Sequence, residues 1–307
     1  MTAKIFILYS THHTFCMIKI SFKGIPATLI LAGVACLIVN AQNNLSHSPQ
    51  SKELVKGTLF IIGGGDCPDT LLRRMFKEAN WIKGDELVIM TLSSSYDSSY
   101  IWENDELSPL SGYPSVKFDS ASVHDEKKLD SLRKAKIIFI CGGDQSRFMN
   151  LIRNSEIKKI IHEDYLKGAL IAGTSAGAAV MSERMITGNQ LLDTAYESTF
   201  ERIRSENLEL NEGLGLLDSV IVDMHFVRRS RFNRLFTAVL EYPEYQCIGI
   251  DESTALIVHG DKATVSGVSQ VIVFTKPRSI IRSNNHLIGG DFSVSVYLPG
   301  ESFLIKR

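Results

Sequence analysis

Ser175 is set in a pattern that is typical of enzyme nucleophiles. It lies in Gly173-Thr174-Ser175-Ala176-Gly177, which fits G-x-S-x-G. That pattern is typical of a sharp turn from a strand into a helix that exposes a nucleophilic hydroxyl, and its small residues let a carbonyl group approach. In the alternative interpretation, Ser175 only caps the helix that begins with "AGAAVM" by bonding a backbone N–H. The pattern alone leaves both interpretations open.

A serine nucleophile needs a base and an acid that orients the base, and two later residues fit these roles. His225 follows the apolar run "LDSVIV", and Glu252 stands between two apolar runs in "CIGIDESTALIV". We therefore predict a triad of Ser175, His225 and Glu252. The α/β-hydrolases place the acid before the histidine, so the order found here disfavours that fold. Asp193 or Asp218 would supply an acid at the intermediate position.

Acyl transfer also requires N–H donors for the oxyanion that develops on the substrate. Gly142 and Gly143 follow the apolar run "KIIFIC", where the backbone can approach a ligand closely, and Ala176 follows the predicted nucleophile. We predict that the N–H groups of Gly143 and Ala176 form the oxyanion hole. A simple tight turn is the alternative for the glycine pair. The segment "IIGGGDCPD" (61–69) matches neither a dinucleotide fingerprint nor a P-loop, and we interpret it as a close-packed turn.

Four arginines follow His225 at short intervals: Arg228, Arg229, Arg231 and Arg234. Guanidinium groups bind carboxylates through paired hydrogen bonds, so a cluster beside the base favours an acidic or peptide-carboxylate substrate. A solvated helix face is the ordinary alternative for a basic run.

The elements that must position these residues alternate along the chain. Apolar runs that end in Gly or Ser predict buried strands, and they lie at 57–65, 86–94, 115–120, 136–143 and 168–175. Segments with apolar residues at spacing three and four predict helices packed on the sheet, and they lie at 69–80, 125–135 and 145–168. This order predicts a three-layer α/β/α sandwich with a mostly parallel sheet, whose ligands bind at the carboxyl ends of the strands. Alternating residues at 263–274 and 292–306 predict antiparallel strands at one edge.

Residues 1–41 differ in composition from the rest of the chain, because they contain three Lys, no Asp or Glu, and the apolar run 25–39. We predict a signal peptide that is cleaved before Gln42, with translation starting at Met1 or Met17, and therefore a secreted or periplasmic protein. An uncleaved anchor is the alternative, although the run is short for a membrane span. Residues 42–56 are predicted to be a flexible lead-in and residues 57–307 a single domain.

The full chain has 33 Lys and Arg against 34 Asp and Glu, and residues 1–41 contain three of these Lys and none of the acids. Without that segment the chain therefore carries a small negative net charge. That balance gives no electrostatic case for binding nucleic acid or an anionic membrane. Cys67, Cys141 and Cys247 include no C-x-x-C pair, so no zinc site or disulfide framework is predicted, while a single bridge stays open.

Several segments resemble, in order, the motif blocks of the cyanophycinases in serine peptidase family S51, over roughly residues 57–275. They are "FICGGDQ", "IAGTSAGAAVMSERMI", "GLGLLDSVIVDMHFVRRSRFNRL" and "CIGIDESTALIV". The resemblance implies a class I glutamine-amidotransferase-like fold with Ser175 as nucleophile, His225 as base and Glu252 as orienting acid. It also implies a substrate pocket lined by Gln145, Asp223, Arg229, Arg231 and Arg234.

On this resemblance, the enzyme would cut cyanophycin, a polyaspartate with arginine on its side chains, into β-Asp-Arg dipeptides without a metal or cofactor. One position departs from the family pattern: Met224 stands where a Gln precedes the histidine, and a thioether lacks the donor and acceptor of an amide. Other Asp-containing peptides, as for a dipeptidase E-like enzyme, are therefore an alternative substrate, and a binding protein without turnover is a second alternative. A homodimer is left open.

Overall fold

A computed structural model describes residues 2–11, 14–23, 55–96, 98–193, 195, 199–275, 277, 279–283 and 286–305. The chain divides into two compact units, residues 1–53 and 54–307. In the first unit, β1 (Thr2–Thr11) and β2 (Thr14–Lys23) form an antiparallel hairpin. The apolar run 25–39 and the predicted cleavage site lie outside the described residues, so the signal peptide stays a prediction. No helix in the described ranges is long and apolar enough to span a membrane.

The second unit is built on an eight-stranded sheet. In spatial order its strands are β18 (Ser302–Leu304), β13 (Lys262–Gly267), β12 (Thr254–His259), β3 (Thr58–Ile62), β7 (Leu170–Thr174), β6 (Ile137–Ile140), β4 (Leu87–Met90) and β5 (Val116–Phe118). The run from β3 to β5 is parallel, and the other three strands pair antiparallel. The five predicted strands of the first half are therefore the parallel part of this sheet.

Helices cover both faces of the sheet. The helices before β8 are α1 (Asp69–Glu78), α2 (Ser99–Ser111), α3 (Glu126–Lys134), α4 (Gln145–Ile152), α5 (Ile157–Lys167) and α6 (Ala176–Ala179), with a 3₁₀ turn at Ser120–Ser122. Side chains alternate along β3: Phe60 faces the layer of α1 and α2, whereas Leu59 and Ile61 face the layer of α3 to α6. Both faces are thus buried, which explains the continuous apolar runs, and the predicted three-layer α/β architecture is confirmed.

A smaller four-stranded sheet lies in the same unit. It contains β10 (Val220–Met224), β11 (Gln246–Ile250), β14 (Val271–Thr275) and β17 (Ser293–Tyr297), and α7 (Phe232–Glu241) packs on one face. Two hairpins complete the unit: β8 (Arg184–Gln190) with β9 (Leu208–Glu212), and β15 (Ser279–Ser283) with β16 (His286–Gly290). The predicted antiparallel strands at 263–274 and 292–306 exist, but they do not share one edge. Each segment contributes one strand to each sheet.

Strand register brings the predicted site residues to one end of these sheets. Ile62 pairs with Thr174, so Gly63 and Ser175 both follow the last pair of β3 and β7. In the parallel pair of β10 and β11, Met224 lies opposite Ile250, so His225 and Glu252 leave the sheet at the same end.

Candidate active site

Ser175 occupies a strained turn between β7 and α6. Its backbone adopts φ 51° and ψ −110°, a conformation that residues other than glycine rarely adopt. Its side chain caps no helix N–H, so the capping interpretation is wrong. A Cβ on Gly177 would lie 2.8 Å from the carbonyl carbon of Ile140, and a Cβ on Gly173 would lie 2.5 Å from the carbonyl carbon of Gly177. The glycines of the pattern are therefore required by close packing of the turn.

The Ser175 hydroxyl is the first member of a continuous hydrogen-bond chain. Its Oγ lies 2.8 Å from Nε2 of His225, and Nδ1 of the same ring lies 2.7 Å from Oε1 of Glu252. With the proton on Nδ1, that nitrogen donates to the carboxylate, and Nε2 accepts the proton of the serine hydroxyl. The structure thus brings the three predicted residues together in the geometry of a serine nucleophile, its base and an orienting acid.

The surroundings of His225 favour its neutral form. Burial is the largest effect, and together with the nearby Arg229 and Arg231 it lowers the pKa of His225 below its usual 6.5, against the opposing effect of the hydrogen bond that Nδ1 donates to Glu252. A neutral imidazole at neutral pH can accept a proton, which is what a general base must do.

The glycine segment after β3 supports the histidine and the glutamate. The N–H of His225 donates to the carbonyl of Gly63 at 2.7 Å. Gly64 (φ 96°) and Gly65 (φ 73°) lie so close to the site that a Cβ on Gly65 would lie 2.8 Å from Cβ of Glu252. The segment is a close-packed turn, as its sequence indicates, but the sequence did not reveal that it packs against the base and the acid.

Asp251 also supports the site, in a role that the sequence did not reveal. Its Oδ1 accepts hydrogen bonds from the N–H groups of Val227 at 3.1 Å and Arg228 at 2.9 Å, and its Oδ2 accepts one from the Ser269 hydroxyl at 2.7 Å. This carboxylate therefore fixes the turn that follows His225 to the segment that carries Glu252. Its position directly before the predicted acid was the only sequence signal for this role.

A cavity of about 290 Å³ opens over the Ser175 hydroxyl. Its lining residues are Gly143, Asp144, Gln145, Ser146, Ser175, Thr187, Gly188, Asn189, Met224, His225, Arg229, Arg231 and Arg234. Four of the five residues predicted to line a substrate pocket are among them. The exception is Asp223, whose side chain is fully buried beneath the cavity.

Asp223 pairs with the arginines instead of facing the cavity. Arg234 binds its carboxylate through Nε at 2.9 Å and also through Nη2. Nη1 of Arg231 lies 3.6 Å from Oδ1 of Asp223 and donates to the backbone carbonyl of Met224 at 2.8 Å. The prediction that Asp223 lines the pocket is therefore wrong. Its carboxylate lies in a strand that is buried on both faces, where it needs an internal counter-charge.

One predicted oxyanion donor, Gly143, lines the same cavity, and the other, Ala176, directly follows Ser175. Gly143 has φ 134°, and a Cβ there would lie 2.7 Å from the carbonyl carbon of Ser93, so only glycine fits. Within the described part of the chain, the N–H groups of Gly143 and Ala176 donate to no acceptor. Both remain available to a ligand atom beside Ser175.

The site offers no place for a metal among the described residues, where no group of three His, Cys, Asp or Glu side chains is arranged to hold an ion. Cys67, Cys141 and Cys247 are free thiols. The single bridge that the sequence left open is therefore not formed between any two of them.

The chain is similar in sequence to known peptidases. The sequence model of peptidase family S51 matches residues 102–266. Cyanophycinase from Trichormus variabilis is 34% identical over 169 residues, which cover 54% of each chain, so the chain spans about half the length of this relative. Cyanophycinase from Geminocystis herdmanii is 29% identical over 221 residues, 69% of this chain and 77% of the relative. Peptidase E from Pasteurella multocida is 27% identical over 164 residues, 50% of this chain and 64% of the relative.

Two solved structures share the fold. A peptidase from an acI-B1 Actinobacterium superposes with a TM-score of 0.61 at 19% identity, over 82% of this chain and 98% of that chain. A putative peptidase E protein from Listeria monocytogenes superposes with a TM-score of 0.52 at 19% identity, over 69% and 99% of the two chains. The α/β fold is therefore that of peptidase E-like proteins.

Proposed function

Because the chain belongs to peptidase family S51, we propose that it is a serine-type peptidase of the cyanophycinase type with Ser175 as its nucleophile. The observation that carries this proposal is the hydrogen-bond chain from Ser175 Oγ through His225 to Glu252, at the floor of a cavity lined by three arginines. A helix cap or a merely structural histidine would not require this sequence of contacts.

The proposed reaction follows from the positions of these groups. Ser175 Oγ attacks the carbonyl carbon of the scissile amide while Nε2 of His225 takes the hydroxyl proton. The N–H groups of Gly143 and Ala176 stabilise the oxyanion that forms. His225 then gives its proton to the amide nitrogen, the C–N bond breaks, and the amine leaves. Water, deprotonated by the same imidazole, attacks the acyl-enzyme; the ester C–O bond breaks, His225 returns the proton to Ser175 Oγ, and the carboxylate product leaves.

We propose that the arginines at the cavity select a substrate with a carboxylate near the scissile bond. Arg229 is exposed and lines the cavity, so its guanidinium can bind a carboxylate through two hydrogen bonds. Arg234 is already paired with Asp223 and serves mainly to hold Arg231 and the cavity floor in place. Cyanophycin fits this class, because its arginine units carry free carboxylates, and it is our first choice of substrate on the basis of the 34% identical relative.

Other Asp-containing peptides form the second candidate class, as for a peptidase E-type enzyme. Met224 favours this candidate: it lines the cavity, and its sulfur lies 3.2 Å from Nη1 of Arg231. The amide that the cyanophycinase pattern places here would offer both a donor and an acceptor, whereas the thioether offers only a weak acceptor.

We further propose, from the composition of residues 1–41, that the protein is secreted or periplasmic.

The test is to incubate the protein with cyanophycin and with Asp-containing dipeptides and to treat it in parallel with a serine-reactive phosphonate. We expect dipeptide release from at least one substrate and labelling at Ser175, both lost in Ser175→Ala and both retained in the exposed-serine control Ser120→Ala. Release that is unchanged in Ser175→Ala would reject the nucleophile. Folded protein that neither turns over a substrate nor reacts with the phosphonate would favour the binding-protein alternative.

A further inference from the structure

A second and larger cavity borders α4. Its volume is about 720 Å³, and it is lined by residues of α4, α5 and the hairpin of β8 and β9. Its lining includes Arg153, Lys158, Lys159, His162, Met185 and Glu212. None of these residues takes part in the proposed chemistry at Ser175.

Cations predominate in this second cavity. Three Lys and Arg side chains and one histidine line it, against the single carboxylate of Glu212. Lys158 Nζ already binds Glu212 at 2.6 Å and the carbonyl of Gly213 at 3.0 Å, and it lowers the pKa of Glu212. The single carboxylate of Glu212 is therefore balanced mainly by Lys158, which leaves an excess of positive charge in the second cavity.

Two of these cations have no close ion pair within the described part of the chain. The Arg153 guanidinium donates to Oδ1 of Asn150 at 2.7 Å, and its charge acts on the Glu212 carboxylate only at longer range, where it adds to the lowering of the pKa of Glu212. Lys159 has only a long contact, 3.8 Å from Oε1 of Glu163, and its side chain is 73% exposed. A ligand that carries carboxylates would meet an excess of positive charge beside a partly apolar floor.

The second cavity adjoins the cavity over Ser175. Ser146 lines both. Along β8, Met185 lines the second cavity, while residues 187–189 line the first. Between them, the Gln145 amide donates to the carbonyls of Ile186 at 2.7 Å and Thr187 at 2.9 Å, and so ties α4 to β8 at the boundary between the cavities.

The separation of the two cavities suits an extended peptide. Ser146 and Arg153 are seven positions apart, which is about 10 Å along a helix axis. An extended peptide advances about 3.3 Å per residue, so roughly three residues bridge that distance. We propose that the second cavity is an additional binding site for carboxylates of a substrate segment that extends beyond the residues held at Ser175. This inference rests on the proposed function, since it concerns the same carboxylate-bearing peptide substrate.

The experiment measures binding without turnover, in the Ser175→Ala protein. The probes are di-aspartate and an aspartate peptide of about eight residues, which is long enough to reach both cavities. We expect the longer peptide to bind about tenfold more tightly in calorimetric titrations at low salt, and we expect Arg153→Ala with Lys159→Ala to abolish most of that gain. The matched control, Arg73→Ala with Lys77→Ala, removes the same two residue types from the exposed face of α1 and should retain it.

The charge-preserving double variant Arg153→Lys with Lys159→Arg should still bind the longer peptide more tightly than di-aspartate. That result would show that the charges, rather than an altered fold, are responsible for the tighter binding. Equal affinity for the two peptides, or a gain that survives Arg153→Ala with Lys159→Ala, would overturn the inference. Failure of the proposed function is separate from both results, because it appears as absent hydrolysis by the wild-type protein.

Discussion

Gly64 lies against the imidazole of His225, and a Cβ on residue 64 would be 2.5 Å from Nε2 of that ring. Nε2 is also the atom that lies 2.8 Å from the Ser175 hydroxyl. The position of the base is therefore set by a backbone that approaches as closely as glycine alone allows. A side chain at residue 64 would therefore move the ring away from Ser175.

Gly64→Ala is expected to lower kcat by at least about 100-fold, because a displacement of the base near 1 Å has an effect of that size. Gly84→Ala is the matched control: Gly84 has φ 99°, close to the φ 96° of Gly64, but a Cβ there meets nothing within 4 Å. Both variants should lose about 1 kcal/mol in free energy of unfolding from backbone strain. Steady-state kinetics measures kcat of both variants, and urea unfolding measures their free energy of unfolding. Equal kcat in the two variants would contradict the role assigned to Gly64.

The arrangement of the triad could be predicted because each member follows an apolar run. Such runs predict strands whose ends lie at the ligand-binding edge of a sheet, so Ser175 after β7 and His225 after β10 were expected at strand ends. The register of β10 with β11 brings Glu252 to the same end as His225. The local pattern was sufficient to select the three residues, but it did not predict that β7 and β10 belong to two different sheets.

Contacts between segments far apart in sequence could not be predicted in the same way. The approach of Gly64 to His225 joins residues 161 positions apart, and nothing in "IIGGGDCPD" names its partner. Asp223 was predicted to line the pocket only on the basis of the resemblance to the cyanophycinases. Its real role depends on β10 being buried on both faces, which turns the carboxylate inward to Arg234.

The pH dependence of kcat/KM is expected to follow His225. Activity should rise with pH as the imidazole loses its proton, and the rise should be centred below pH 6.5 because the pKa of His225 is lowered. Arg229→Gln removes one of the cations that lower this pKa, so the midpoint should move to higher pH. Arg228→Gln, an exposed neighbour that does not contribute to the lowering, should leave it in place. An unchanged midpoint in Arg229→Gln would show that this cation does not act on the base.

Asp251→Ala should lower kcat by about ten- to hundredfold with a smaller change in KM. Its carboxylate accepts two backbone N–H groups of the turn after His225, and bonds to a charged group contribute about 1.5–3 kcal/mol. Asp251→Asn should restore much of kcat, since an amide oxygen can accept the same N–H groups. The control Asp125→Ala also removes a carboxylate that accepts two N–H groups, at the start of α3, and should affect stability alone. Loss of stability without loss of kcat in Asp251→Ala would reject a positioning role.

The buried pair of Asp223 and Arg234 should govern stability through charge balance. Arg234→Met leaves the fully buried carboxylate with Arg231 at 3.6 Å and the N–H of Met224 at 2.9 Å but without its bidentate partner, and we expect a loss of about 3–5 kcal/mol in free energy of unfolding. Asp223→Leu combined with Arg234→Met removes both charges and should recover most of that loss. Arg204→Met breaks the partly exposed pair with Asp193 and should have an effect of at most about 1 kcal/mol. Urea unfolding of the wild type and the three variants measures these free energies. A double variant no more stable than Arg234→Met would show that packing, rather than charge pairing, determines the stability of this buried pair.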